Sequence, residues 1–240
     1  MGNENGTWIM YGVDADDPYC IHTVDQLIEY IEEIGFLPLF KNEIPGFSVE
    51  ERTLAQYWWS GDTDHDPWAW REIIARSGKV VYGKFFNKKA GFISKEWLPY
   101  FVNYRRDGYD FDALWDDGKA SRRQKKIMDL FLDGEYLHSS EIKKNAGFGK
   151  GGEKNFDGVM AELQMKLYLC ANDFKRKKNK SGQEYGWPIA VYTTPEQMWG
   201  YDLITSAYKE EPSESQKRIL NHLLERYPVA DPKQIKKVIK

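Results

Sequence analysis

The residues best suited to chemistry lie in the run YWWSGDTDHDPWAW, residues 57–70, where acidic side chains alternate with tryptophans. A carboxylate can orient a water molecule for attack, and aromatic rings can hold a base that has left a nucleic-acid duplex. The candidate catalytic residues are Asp62, Asp64 and Asp66. The candidates for base stacking are Trp58, Trp59 and Trp68.

A purely structural interpretation of the same run competes with this one. Asp66 precedes Pro67, and an aspartate followed by proline is a typical N-cap and first position of a helix. Tryptophans at irregular spacing also belong to hydrophobic cores more often than to binding surfaces. Arg71, directly after the run, could contact a phosphate.

Metal and cofactor sites are not predicted. The spacing of Asp62, Asp64 and Asp66 resembles a calcium loop, but Pro67 stands where such a loop needs glycine, and Ile73 stands where it needs glutamate. A divalent metal held by His65 with two of the aspartates is the weaker alternative. The sequence contains no phosphate-loop or dinucleotide-binding fingerprint. We therefore expect no metal and no cofactor.

Charge is distributed unevenly along the 240 residues. Residues 1–118 carry 11 Lys and Arg against 21 Asp and Glu, whereas residues 119–180 carry 15 against 8. A concentrated basic segment can bind a polyanion by releasing counterions from its phosphates, and the alternative is a merely solvated loop. The predicted DNA-binding residues are Arg122, Arg123, Lys125, Lys154, Asn155, Lys175, Arg176, Lys177, Lys178 and Lys180. The predicted partner is double-stranded DNA.

The order of elements around these cations is typical of a winged helix. A helix over 121–136, a serine-capped helix over 139–147 and a third helix over 155–169 precede a hairpin. We expect the hairpin arms at 167–174 and 187–194 and a lysine-rich tip between them. On the third helix, one stripe is apolar, and the outward residues are Lys154, Asn155, Asp157, Gly158, Ala161 and Glu162.

The acidic first half supplies further elements. Helices are predicted after Thr23, ending at Gly35, and after Asp66, ending at Gly78. Residues 79–86 read as a strand, followed by a loop and a helix capped by Ser94. After Thr194 we expect further helices, including one over 213–228 with an apolar stripe.

Three phrases carry a family resemblance: FNKKAGFISKEWLPYFVNYRR (86–106), LQMKLYL (163–169) and GWPIAVYTT (186–194). In these the chain resembles the AlkZ-like winged-helix DNA glycosylases, which excise alkylated purines and unhook interstrand crosslinks. The resemblance implies tandem winged-helix units with a concave DNA-binding face. It also implies a Gln-x-Gln or Gln-x-Asp motif holding the attacking water, and this chain contains neither. It looks like a shortened relative.

The predicted fold class is therefore α+β, mostly helical, with winged helix-turn-helix modules and a helical C-terminal extension. The predicted divisions are an irregular arm (1–22), an acidic winged-helix-like unit (23–118), a winged-helix domain with a basic wing (119–200) and the extension (201–240). DNA binding is the favoured function. The alternatives are an active N-glycosylase using residues 58–71 and a non-catalytic regulator or protein-interaction module.

Composition bears on the compartment. Two cysteines, Cys20 and Cys170, form neither a disulfide framework nor a zinc motif, which favours a reducing cytoplasm. No apolar run approaches 18 residues and no leader is apparent, so neither a membrane nor an export role is expected.

Overall fold

The computed structural model of the chain describes residues 2–4, 7–179 and 181–240. It is a mixed α/β structure whose main sheet is antiparallel. The predicted irregular arm contains two short antiparallel strands, β1 (Gly2–Glu4) and β2 (Thr7–Ile9).

The first half begins with α1 (Val24–Ile34), capped by the Thr23 side chain and ended by Gly35 in a positive-φ conformation, as predicted. The short strand β3 (Phe36–Pro38) follows, and two 3-10 turns lead to α2 (Pro67–Ser77). Next come β4 (Val80–Phe86), β5 (Lys89–Ser94), α3 (Leu98–Arg106) and α4 (Phe111–Asp116).

The second half uses a similar order. Helix α5 (Arg122–Met128) leads to a two-residue strand β6 (Leu137–His138), then α6 (Ser139–Asn145) and α7 (Phe156–Met165). The strands β7 (Cys170–Lys178) and β8 (Glu184–Thr193) form the hairpin. Ser121 and Gln124 form a reciprocal capping box that fixes the start of α5.

Strand order in the sheet is β3-β5-β4-β7-β8-β6, so its second half mirrors its first. In each half the short strand pairs with the second strand of the hairpin that follows it. The first strands of the two hairpins, β4 and β7, meet at the centre, where Tyr82 lies opposite Ala171. The two halves therefore share one sheet.

The C-terminal helices α8 (Pro195–Trp199), α9 (Tyr201–Ile204), α10 (Pro212–Arg226) and α11 (Pro232–Ile239) complete the chain. Ile219, Leu223 and Ile235 are fully buried in the same hydrophobic cluster as α1, α2 and β3–β5. The Asn103 side chain of α3 also donates to Glu210 O and Ser215 Oγ, both at 3.0 Å. These helices thus build the core of the first half.

Paired arginines at the end of α3 hold the two halves together. Arg105 donates to the carbonyl of Met165 at 3.2 Å, and Arg106 donates to the carbonyl of Leu167 at 2.6 Å. Arg106 also pairs with Glu196 at 2.5 Å. Burial opposes its charge, but Glu196 outweighs burial and raises the pKa of the guanidinium. The arginines within the resemblance phrase 86–106 therefore join α3 to the end of α7.

Several boundary predictions are wrong. Residues 89–94 form strand β5 instead of a loop, because Asn87 and Lys88 adopt positive φ values and close a tight hairpin with β4. Ser94 ends that strand and does not cap α3, which begins after Trp97. The hairpin arms of the second half are also longer than predicted, so Lys175–Lys178 lie within β7.

Candidate nucleic-acid interface

Strand β7 presents a continuous run of exposed cations, Lys175, Arg176, Lys177 and Lys178. Lys175 has a counter-charge, Asp173, at 3.6 Å. Among the described residues, Arg176, Lys177 and Lys178 form no ion pair within 4.0 Å. Lys180, also predicted to bind DNA, lies outside the described residues. The run is thus a short row of exposed cations, in which Arg176 also interacts electrostatically with Glu72.

Strand β8, which pairs with β7, adds aromatic side chains beside these cations. Lys177 lies opposite Tyr185, and Lys178 lies opposite Glu184. The register shifts between the pairs Lys175–Ile189 and Lys177–Tyr185. In this irregular part of the hairpin Trp187 is 81% exposed. A groove of about 680 Å³ runs from these cations to His138 and Ser140 at the start of α6.

The predicted cations of α5 are partly neutralised. Arg123 pairs with Glu153 at 3.1 Å, and Lys125 pairs with Asp129. Hydrogen bonds from Lys126 and Arg123 also lower the pKa of Glu153, which keeps it charged. Arg122 is exposed and forms no ion pair among the described residues. Of this helix, Arg122 is therefore the cation most available to a phosphate.

Helix α7, which would be a recognition helix, is only half accessible. Lys154 and Asn155 at its start are exposed, and so are Asp157 and Glu162. Ala161 was predicted to face outward, but it is buried. The reason is that the hairpin of the first half covers the end of α7, where the Lys84 amide donates to Gln164 Oε1 at 3.1 Å.

The three candidate catalytic aspartates differ in environment. Asp66 is buried, and its carboxylate accepts the backbone N–H groups of Trp59, Gly61 and Trp68 at 2.8–3.2 Å. This is the predicted N-cap of α2, extended by two loop contacts. Its oxygens are therefore already engaged by the main chain.

Asp62 and Asp64 are exposed in the loop before α2. Asp62 lies 2.8 Å from His65 Nδ1 and accepts the Asp64 amide at 3.1 Å. These two hydrogen bonds, the histidine first, lower the pKa of Asp62. A carboxylate with a lowered pKa is a weaker base, which reduces its ability to take a proton from water.

The three candidate stacking tryptophans also differ in environment. Trp58 is buried in the core, and its Nε1 donates to Thr53 Oγ1 at 3.0 Å. Trp59 is 42% exposed and holds a positive φ of 60°, which is unusual for a bulky residue. Trp68 is half-buried and lines a cavity, described next.

A cavity of about 390 Å³, the junction pocket, lies where the two hairpins meet. Its walls include the aromatic residues Phe40, Trp68, Tyr82, Phe174 and Tyr192. Its lining also includes Lys41, Lys84, Lys88 and Lys89, which are exposed to solvent. Its lining residues come from α2, α7 and strands of both halves.

A buried guanidinium contacts two aromatic residues of this pocket, although Arg71 is not itself among the lining residues. Arg71 lies 3.9 Å from the Trp68 ring centroid and 4.3 Å from that of Phe174. It donates to Glu72 at 3.2 Å, and its buried Nε has no partner among the described residues. Sequence reasoning identified Trp68 and Arg71 from their composition. It missed Tyr82, Phe174 and Tyr192, which only the sheet topology brings together.

Neither a metal-binding cluster nor a membrane-spanning helix is found in the described part of the chain. No group of three His, Cys, Asp or Glu residues there is arranged to hold a metal ion. Among the same residues, no helix has the length and apolar character needed to cross a bilayer.

Comparison with known proteins gives one family and one structural similarity. The model of a family described as AlkZ related matches residues 21–240. The chain is also similar to a solved structure of the DNA glycosylase AlkZ from Streptomyces sahachiroi, with a TM-score of 0.46 and 11% sequence identity. That match covers 88% of this chain and 53% of the other, so this chain spans about half the length of that relative. No curated protein matches the sequence.

Proposed function

The chain belongs to the AlkZ-related family, and from this premise we propose that it binds double-stranded DNA through the exposed cations of β7. This proposal is carried by the exposed cations Arg176, Lys177 and Lys178, which form no ion pair within 4.0 Å among the described residues. Successive side chains of a strand point to alternate faces, so these cations extend from both faces of β7. They can replace the counterions of several phosphates. The second half is where the sequence concentrates its positive charge.

We propose further that both halves are winged-helix units. The second has the order helix, short strand, two helices and hairpin, with β6 added to the outer edge of β8. The first has the same pairing of β3 with β5. In a winged helix the hairpin and the helix before it contact DNA together. Here the end of α7 is covered, so the hairpin and Arg122 supply most of the contact.

This mode of binding favours recognition of the backbone over sequence reading. Asp157 and Glu162 lie exposed on α7 and would repel phosphates on either side of a major groove. The contacts available to β7 are charge contacts, which carry no sequence information. We therefore expect similar affinity for unrelated duplexes of equal length.

Binding without base excision by residues 58–71 fits the geometry best. The Asp66 carboxylate accepts hydrogen bonds from three backbone amides, and the Asp62 carboxylate is hydrogen-bonded to His65. Among the described residues that line the junction pocket, none is a carboxylate. We therefore propose that this segment does not activate water.

Salt dependence tests the proposal. Affinity for a random duplex is measured by fluorescence anisotropy between low and moderate salt, for the wild type and for a K175Q/R176Q/K177Q/K178Q variant. The slope of log affinity against log salt is expected to become shallower by about 3, since each phosphate contact contributes about 0.9. Affinity at moderate salt should fall by roughly 100-fold or more.

A matched control removes four exposed cations from the C-terminal helical part of the chain, in the variant K209Q/K217Q/K233Q/K236Q. It changes net charge equally and should leave most of the slope intact. Equal slopes for the two variants would show that β7 makes no special contact, and the proposal would be wrong.

An excision assay tests the proposal that residues 58–71 do not remove a base from DNA. The wild type is incubated with alkylated duplex DNA, which is then treated with alkali. We expect no strand breaks above the protein-free control. Breaks that disappear in a D62N/D64N variant would instead establish excision by residues 58–71.

A further inference from the structure

We infer that Arg123 and Lys126 of α5 form a site for a phosphate of the DNA backbone, and that Glu153 occupies this site in the free protein. The role of the site rests on the proposed DNA binding, which it restrains. The Glu153 carboxylate takes the place of a phosphate and thereby limits the affinity of the chain for DNA. We call these three residues the Glu153 site.

Two cations hold the Glu153 carboxylate at once. Its Oε2 lies 3.1 Å from Arg123 Nε, and its Oε1 lies 2.8 Å from Lys126 Nζ. Arg123 and Lys126 are three positions apart on α5, so their side chains are neighbours on one face of the helix. Proteins bind the oxygens of a phosphate with the same charged donors. The geometry therefore suits either anion.

The Glu153 site is open to solvent. The side chains of Arg123 and Lys126 are 47% and 36% exposed, and that of Glu153 is 23% exposed. Arg123 donates through Nε, and its two terminal nitrogens form no hydrogen bond to any residue that the structure describes. Exposed ion pairs contribute little to stability. A phosphate can therefore replace the carboxylate without loss of the fold.

The turn between α6 and α7 positions the carboxylate. The Glu153 amide donates to the Gly147 carbonyl at 2.9 Å, and the Glu153 carbonyl accepts the Gly149 amide at 3.2 Å. Gly147 and Gly149 adopt positive φ values of 73° and 142°, which residues other than glycine rarely adopt. Main-chain hydrogen bonds thus fix the residue that reaches α5.

The surface around the Glu153 site is basic. The Phe148 amide of the turn donates to the Lys143 carbonyl at 2.9 Å, so the turn lies against the end of α6. Exposed cations that form no ion pair within 4.0 Å in the described part of the chain are Arg122, Lys143, Lys144, Lys150 and Lys154. Their combined positive potential attracts a polyanion to this surface. Glu153 neutralises two further cations there.

Helix α6 separates this surface from the cationic strand β7. At the start of α6, His138 Nε2 lies 3.4 Å from the Lys175 carbonyl, whereas the turn follows the other end of the helix. A helix of seven residues is about 10 Å long. The major groove of B-DNA is about 12 Å wide, so one duplex can present phosphates to both surfaces.

The restraint follows from the exchange of one anion for another. Each contact of a phosphate with Arg123 or Lys126 replaces a contact with Glu153. Hydrogen bonds from Lys126 and then Arg123 lower the pKa of Glu153, so the displaced carboxylate stays charged and repels the phosphate. The two cations should therefore add little affinity until the negative charge of Glu153 is removed.

The variant E153Q tests the Glu153 site, because glutamine keeps the shape of the side chain and removes its charge. Affinity for a random duplex is measured by fluorescence anisotropy between low and moderate salt. E153Q should bind about tenfold more tightly than the wild type at moderate salt. The slope of log affinity against log salt should steepen by about 1, the contribution of one further phosphate. Unchanged affinity and slope would overturn the inference.

A matched control removes a carboxylate from another ion pair. Glu33 pairs with Arg226 at 3.3 Å in the first half of the fold, and E33Q changes net charge by the same amount as E153Q. It should change affinity by less than about twofold. An equal gain in the two variants would mean that net charge alone sets the affinity, and the assignment of a site would be wrong.

Removal of the two cations locates the gain. R123Q/K126Q should weaken binding by about threefold, and R123Q/K126Q/E153Q should bind no more tightly than the wild type. If the triple variant kept the tenfold gain, the freed cations would not be its cause and the inference would be wrong. Thermal unfolding checks the fold of each variant, and E153A should reproduce the gain of E153Q.

Failure of this site differs from failure of the proposed function. If the wild type binds duplex DNA in a salt-dependent manner and E153Q gains nothing, only the Glu153 site is wrong. If neither protein binds any duplex, both are wrong. If E153Q alone binds, the Glu153 site is supported and the proposed role of β7 is wrong.

Discussion

The two hairpins of this protein share one topology and have opposite surroundings. Strand β4 of the first hairpin is buried at every position except Lys84, whereas β7 of the second becomes exposed from Lys175 onward. Helices α2, α7 and α11 pack on β4 of the first hairpin, whereas the outer part of the second hairpin is exposed. The comparison shows that what is packed on a hairpin decides whether it serves as core or as a contact surface.

The largest expected difference is in stability. Phe85→Ala in the first hairpin should lower the free energy of unfolding by about 3–5 kcal/mol, because Phe85 is fully buried. Tyr185→Ala in the second hairpin removes a side chain that is 52% exposed and should cost less than about 0.5 kcal/mol. Urea denaturation measures both. Similar losses would mean that the two hairpins are equally structural.

Loss of the Arg106 contacts between the two halves should have the next largest effect on stability. Arg106→Leu removes the ion pair with Glu196 and the bond to the Leu167 carbonyl, and should cost about 2 kcal/mol. The figure lies below that of a fully buried pair because Glu196 is partly exposed. Arg218→Leu, an exposed pair with Glu210, is the control and should cost about 0.5 kcal/mol or less. Thermal unfolding that is equal in both variants would contradict this role of Arg106.

The N-caps of the helices before the two hairpins should differ by a smaller amount in their contribution to stability. Asp66→Ala should destabilise by about 1–2 kcal/mol, since three backbone donors lose their acceptor. Its counterpart Asn155 caps α7 without a side-chain hydrogen bond and holds a φ of 65°, so Asn155→Gly should change stability by about 0.5 kcal/mol at most. Chemical denaturation compares the two. A large loss for Asn155→Gly would reveal a cap contact of its own.

The smallest expected effect is the pH dependence of stability that His222 contributes in the first half. Burial lowers the pKa of His222, which lies 2.7 Å from the Ile34 carbonyl and stacks near Trp97. The unfolded chain therefore binds the proton more readily than the folded one, so stability should fall as pH drops below about 6.5. His222→Gln should flatten that dependence in denaturation curves recorded from pH 7.5 to 5. An unchanged profile would show that other groups cause it.

Local signals were predictable from the sequence, and long-range ones were not. Thr23, Gly35, Asp66 and Gly78 mark helix ends because capping depends on neighbours within four residues. The run Lys175–Lys178 was equally visible, although its place on a strand was not. Strand β5 was missed because Ser94 before a helical pattern looks like a cap, and only its pairing with β4 and β3 shows otherwise. The junction pocket depends on the meeting of β4 with β7, which no local pattern encodes.

The mirrored strand order has a consequence for the origin of the chain. Two copies of one small ancestral unit, associating edge to edge about a twofold axis, would produce this order of strands. The strand order therefore has the symmetry that an isologous pair of such units would have. Because the two halves belong to one chain, their sequences need not be identical, and only the second half carries the cationic strand.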